Sequence, residues 1–194
     1  MKKLLIAIAL LASNTVLAQG KPGEPLGMVI DVQGNATIVE AGKSSKLEML
    51  SYLKPQNEIT LTQGANMTVT WYANSKELKF SGPAKLKVEA GGIKVVSGAK
   101  GQERAVEDEK VAATKKLPSR LGQAAVNMRG MKPMTPEQEA AREKLRPADN
   151  APFSDWVVYA MALEQMGLTG QAKTVWRKLA EQRPDDPKLK KLAE

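Results

Sequence analysis

Over residues 57 to 88 apolar and polar side chains alternate in four short runs, NEITLT, MTVTWY, KELKF and AKLKV, separated by QGAN, ANS and SGP. Successive side chains on a strand point to opposite faces. Ile59, Leu61, Met67, Val69, Trp71, Leu78, Phe80, Ala84, Leu86 and Val88 therefore share one buried face. Thr60, Thr62, Thr68, Thr70, Glu77, Lys79, Lys85 and Lys87 fall on the wet face. The pattern predicts a small antiparallel sheet unit. Upstream, GMVIDVQGNATIVEAGKSSKLEML predicts strands over residues 28–32, 36–40 and 46–50. Its turns lie at Gln33-Gly34-Asn35 and Ala41-Gly42-Lys43, with glycine supplying the positive φ of tight hairpins. Pro55 interrupts pairing before Ile59, and IKVVSG adds a last strand after Ala90-Gly91-Gly92. Roughly seven or eight short strands at this spacing argue for an all-β sandwich or roll of short antiparallel strands.

The period changes beyond residue 98. Residues 99–150 are charged and carry no sustained apolar repeat, which predicts a solvated linker. Within it, residues 122–130 fit either a late strand or a short helix. Thr135-Pro136-Glu137-Gln138 has the form of a helix start, with Thr as N-cap and Gln able to return a bond, so a helix is expected over 135–146. Residues 151–194 have a helical period: Trp156, Ala160, Leu163 and Gly167, a turn at Leu168-Thr169-Gly170, then Ala172, Val175, Trp176 and Leu179. They predict two amphipathic helices in a hairpin, ended by Pro184, followed by a capping helix with Asp185 and Asp186 at its N-terminus. The expected architecture is α+β in two modules.

Two stretches resemble known families. Gly27-Met28-Val29-Ile30 with Val32-Gln33-Gly34, Leu53-Lys54-Pro55-Gln56-Asn57-Glu58-Ile59, and Ser81-Gly82-Pro83-Ala84 before Leu86-Lys87-Val88 resemble the FecR-like domain over residues 26–98. That domain is named for the periplasmic part of the ferric citrate transport regulator. The resemblance implies a periplasmic β-domain that contacts other proteins. The founding regulator reaches a sigma factor through a membrane span and a cytoplasmic segment, which this sequence does not show, so sigma-factor signalling is not implied. The order Trp156, Ala160, Leu163, Gly167, Ala172, Trp176, Pro184 is similar to one tetratricopeptide repeat over residues 152–186. In that family the small residues, here Ala160 and Ala172, let two helices approach, and large ones fill the gap. Trp176 and Leu179 depart from the family's usual residues. Stacked repeats need about three units to bury a continuous core, so a single hairpin is expected to lean on another surface.

The chain opens with Lys2 and Lys3, an apolar run over residues 4–12 and a small-residue exit at Val16-Leu17-Ala18. These are the parts of a bacterial secretory signal peptide cut after Ala18. The run is shorter than the roughly 20 residues a span needs, so no integral membrane span is expected after cleavage. Gln19 stands where a lipoprotein needs cysteine. The expected location is periplasmic or secreted. There is no Cys and no His, which excludes a disulfide framework, zinc sites of the usual kinds, a Ser-His-Asp triad and a thiol nucleophile. The formal net charge of +8 includes Lys2 and Lys3 and is spread among acidic residues. A diffuse excess of this kind does not point to nucleic acid.

Ser51-Tyr52-Leu53-Lys54 and Ser97-Gly98-Ala99-Lys100 match the S-x-x-K nucleophile pattern, but the accompanying S-D-N and K-T-G elements are missing. No catalytic, cofactor-binding or metal-binding residue is expected. Asn35 and Asn66 fit the glycosylation pattern and read as turn residues. Trp71, Trp156 and Trp176 read as core. Lys79, Lys85, Lys87 and Lys94 are expected along the outer sheet face, where they would either meet an acidic partner or guard an edge against aggregation. Lys173 and Arg177 extend the candidate surface onto the hairpin. The sequence thus predicts a non-catalytic periplasmic protein–protein binding or scaffold protein, with another envelope protein as partner. The alternative is binding of an anionic envelope polymer, peptidoglycan or lipopolysaccharide, through the lysine-bearing β face.

Overall fold

A computed structural model describes residues 24–117 and 135–194; the leader with its cleavage point and residues 122–130 lie outside the described residues. Ten strands divide equally between two antiparallel sheets. The chain alternates between them: β1 (Gly27–Gln33) in the first, β2 (Ala36–Glu40) and β3 (Lys43–Lys46) in the second, β4 (Tyr52–Leu53) in the first and β5 (Glu58–Leu61) in the second. β6 (Asn66–Trp71) and β7 (Lys76–Ser81) follow in the first sheet, β8 (Ala84–Glu89) and β9 (Gly92–Ser97) in the second, and β10 (Gln102–Ala105) returns to the first. The strand orders are β10-β7-β6-β1-β4 and β3-β2-β5-β8-β9. With a C-terminal helical region this is a sandwich-like α+β fold, the class that the patterning predicts.

The inward residues of the four alternating runs, Ile59 through Val88, do share one core, together with Val29, Ile38 and Leu53. They do not form one sheet unit. β5 pairs with β8 in the second sheet while β6 pairs with β7 in the first. The two crossovers meet closely: Gly82 N–H donates to the Ala65 carbonyl at 2.8 Å, and a Cβ on Gly82 would stand 1.9 Å from the Thr62 carbonyl oxygen. The strand expected over 46–50 is displaced. Ala41 and Gly42 both take positive φ, 49° and 78°, in a two-residue turn that pairs Glu40 with Lys43. β3 therefore starts and ends early, and Leu47, Met49 and Leu50 are buried outside regular structure.

Thr68 and Thr70, expected on the wet face, are buried. The reason is that helices cover the outer face of the first sheet: α1 (Asp108–Thr114), α2 (Pro136–Leu145), α3 (Phe153–Gln165), α4 (Thr169–Gln182) and α5 (Pro187–Ala193). The supposed linker of residues 99–150 thus holds β10, α1 and α2. β10 is fixed by backbone pairing to β7 while all its side chains stay exposed, so its composition carries no apolar signal. α1 buries Val111, Ala113 and Thr114. The Tyr72 hydroxyl donates to the Thr114 carbonyl at 2.9 Å, and the Tyr52 hydroxyl to that of Lys115 at 3.0 Å. α2 begins with the expected Thr135–Gln138 capping box.

α3 is the centre of the helical layer. It is not amphipathic, because Val157 to Leu163 are all buried, between α4, α1, α2 and β1. It ends in a Schellman turn, with Leu168 N–H donating to the Leu163 carbonyl and Gly167, at φ +79°, to that of Glu164. The turn thus falls before Leu168-Thr169-Gly170, and Thr169 and Gly170 open α4. Ala160, Leu163, Ala172, Trp176 and Leu179 are buried, and Trp176 Nε1 donates to Glu164 at 3.0 Å. Trp156 is only half-buried and meets Tyr159 edge-on, ring centroids 6.0 Å apart. Pro184 follows the end of α4, and Asp186 caps α5 through the amides of Lys188 and Leu189. No described helix is long and apolar enough to cross a membrane.

What joins the layers is β1. Its register slips between Val29, opposite Val69, and Asp31, opposite Thr68. This bulge leaves Val29 in the sandwich core and puts Met28 and Ile30 into the helical core. It also turns Asp31 outward, where both oxygens accept from the two terminal nitrogens of Arg183. The Arg183 guanidinium lies 3.5 Å over the Phe153 ring, and the pair is sheltered, its side chains 19% and 14% exposed.

Removing one member of a sheltered, bidentate pair strands the other. Asp31→Ala should therefore cost about 2 kcal/mol in urea unfolding. Loss of the exposed Lys54–Glu40 bridge in Lys54→Ala should cost well under about 1 kcal/mol. Burial pushes the Tyr72 hydroxyl well above its ordinary value, and that of Tyr52 upward too. Because the folded values are the raised ones, this stabilisation is complete below about pH 10, the unfolded value, and is lost as pH rises beyond it. Thermal midpoints should fall above that pH, and less steeply in Tyr72→Phe.

Candidate interaction surface

The predicted cations do not form one strip. β8 points Ala84, Leu86 and Val88 inward and Lys85 and Lys87 outward. Cross-strand pairing sets Lys87 beside Lys94 on β9 and beside Glu58 on β5, and Lys85 beside Thr60. Lys46 joins the Lys85 row through Thr37. The sequence reading missed Lys46 because its strand register follows from the two-residue Ala41–Gly42 turn. Lys79 lies on β7 of the other sheet, opposite Gln102, on the side that the helices occupy. Lys173 is half-buried and donates to the backbone carbonyl of Glu194, while Arg177 is exposed on α4.

The outer face of the second sheet thus carries Lys85, Lys87 and Lys94 on adjacent positions, about 5 Å apart across strands and about 7 Å along them. None of the three forms an ion pair among the described residues. Like charges directly opposite each other on neighbouring strands destabilise a sheet. The Lys87–Lys94 pairing is therefore a cost to the fold.

Beside this face the sandwich is open. β9 ends the second sheet, and its outer edge has no strand partner among the described residues. A cleft of about 420 Å³ runs along it, walled by Trp71, Leu78 and Phe80 from the first sheet and by Ile93 and Val95 from the second. Lys100 and Glu103 stand at its rim. Glu103 is held by Lys76 at 2.5 Å, and that bond lowers its pKa. Gly101 passes so close to Phe80 that a Cβ there would lie 2.5 Å from the ring. Val96 sits at a bulge in the pairing of β9 with β8 and is 61% exposed.

The other clefts are joints. One of about 470 Å³ separates Lys46–Met49 from the α4–α5 connection; there Lys188 Nζ donates to the Met49 carbonyl at 2.8 Å and pairs with Glu48 at 3.2 Å. The groove of about 370 Å³ that Phe153 lines holds the Asp31–Arg183 and Arg104–Glu77 pairs. Arg104 bonds Asp155 and also Glu77 at 2.9 Å, and the Asp155 bond foremost raises its pKa. Lys54 of the first S-x-x-K match is paired with Glu40 at 2.7 Å. Among the described residues no three or more acidic side chains converge as metal ligands would.

No protein-family model, no curated protein and no solved structure matches the chain. The reading of function accordingly rests on the surfaces themselves. If the Lys87–Lys94 pairing is a cost, Lys94→Glu should raise stability by about 0.5 kcal/mol in chemical denaturation.

Proposed function

We propose that the protein is a non-catalytic periplasmic binding or scaffold protein of the FecR-like type, which holds an extended segment of another envelope protein along β9. The observation that carries this reading is the free edge of β9 beside an apolar cleft open to solvent. An unpaired edge offers backbone donors and acceptors to an added strand, and pockets next to it receive alternate side chains. The helical hairpin leans on the first sheet, as a single repeat is expected to lean on another surface. Its apolar flank is completed by Met28 and Ile30 of the first sheet, so it contributes to the fold.

A second reading, an anionic envelope polymer held on Lys85, Lys87 and Lys94, is favoured by their lack of ion pairs. It differs from the first in leaving the β9 backbone unpaired.

A photo-crosslinking residue placed at Val96 in the full chain, expressed in its native envelope, should capture one defined protein, and the same residue at Arg177 should not. Silence at Val96, or equal capture at both positions, would overturn the reading.

A further inference from the structure

Resting on that reading, we infer that the segment accepted by β9 is a short strand in which apolar and acidic residues alternate. A strand laid along β9 pairs with it through the backbone, and its side chains alternate between the two faces of the enlarged sheet. Those next to Ile93 and Val95 enter the cleft against Leu78 and Phe80, so they are apolar. Those next to Lys94 lie on the outer face, where Lys94 forms no ion pair among the described residues and stands opposite Lys87, whose other cross-strand neighbour is Glu58. Opposite charges in cross-strand positions stabilise a sheet and like charges oppose it, so the outward residues are acidic.

The same rule selects against a second copy. Two β9 edges paired antiparallel about their middles would set Lys94 against its own counterpart, with Lys87 behind each. Length is bounded too. The bulge at Val96 interrupts the β8–β9 ladder, which resumes with Ser97 opposite Lys85, and bends the edge, so the added strand matches the regular stretch from Gly92 to Val95. Glu103, the acid at the cleft rim, is held by Lys76 and does not oppose an acidic strand.

The test uses the full mature chain and synthetic peptides of about eight residues, strand-length on ordinary statistics, with Val/Glu, Val/Lys or Val/Thr alternation, plus inorganic polyphosphate. Readouts are affinity and amide hydrogen exchange of residues 92–97. The Val/Glu peptide should bind at least tenfold more tightly than Val/Lys, slow exchange along β9, and weaken as salt rises. Lys94→Glu, checked for folding by its thermal midpoint, should reverse the preference. Equal or tighter binding of Val/Lys with β9 protection would overturn the acidic assignment and leave the strand-binding reading standing. No protection of β9 by any peptide would overturn this inference, and silence of the Val96 crosslinker as well would remove the reading beneath it. Polyphosphate that displaces Val/Glu without protecting β9, while Val/Thr leaves β9 unprotected, would overturn it in favour of an anionic polymer.

Discussion

The interaction on which the structure depends is the burial of β1 on both faces. A strand at a sandwich surface ordinarily keeps one face wet, and β1 cannot, because Met28 and Ile30 alternate with Val29 and Val32. The bulge between Val29 and Asp31 makes this arrangement tolerable. With regular alternation the Asp31 carboxylate would enter the sandwich core, where a charge without partners costs several kcal/mol. The extra residue turns it outward to the Arg183 guanidinium, itself stacked on Phe153. A local irregularity of pairing thus fixes where the end of α4 meets the first sheet.

The two faces of the sandwich consequently serve different ends. The first sheet is covered, and polar side chains join it to the helices: Asp31 with Arg183, Arg104 with Asp155, Ser75 with Asp108. Among the described residues no helix covers the outer face of the second sheet, Lys85, Lys87 and Lys94 form no ion pair, and the last strand borders an open apolar seam. An edge strand of this kind is an aggregation hazard that Lys94 and the Val96 bulge restrain. On the proposed reading the same two devices limit what β9 would accept, so protection and selectivity would have one physical origin.

Much of this was legible in the alternation of apolar and polar residues, and its limits are instructive. Period two reports which face a side chain occupies but not which strand lies beside it, so Ile59 and Phe80 were placed in one core while the division of their strands between sheets was not visible. Lys79 was grouped with Lys85 for that reason. β10 left no apolar trace because it is held by backbone pairing and by the exposed ion pairs of Glu103 and Arg104. The unbroken apolar run from Val157 to Leu163 did signal all-round burial of α3, but the spacing of Trp156, Ala160 and Leu163 drew it toward an amphipathic reading. Trp156 then proved half-buried, while Trp176 on the cleaner stripe of α4 is fully enclosed. The capping box at Thr135 was legible, since it depends on neighbours within one helical turn; of the Asp185-Asp186 pair only Asp186 caps α5, and neither lies in its first turn.

Because β1 and α3 to α5 stand far apart in the chain yet share one core, the order of synthesis matters. The strands emerge first, and Met28, Ile30, Thr68 and Thr70 remain uncovered until the final helices follow. A ribosome that pauses before Phe153 would therefore hold a nearly complete sandwich with one adhesive side. The adhesive side closes only when the last helices are available to cover it.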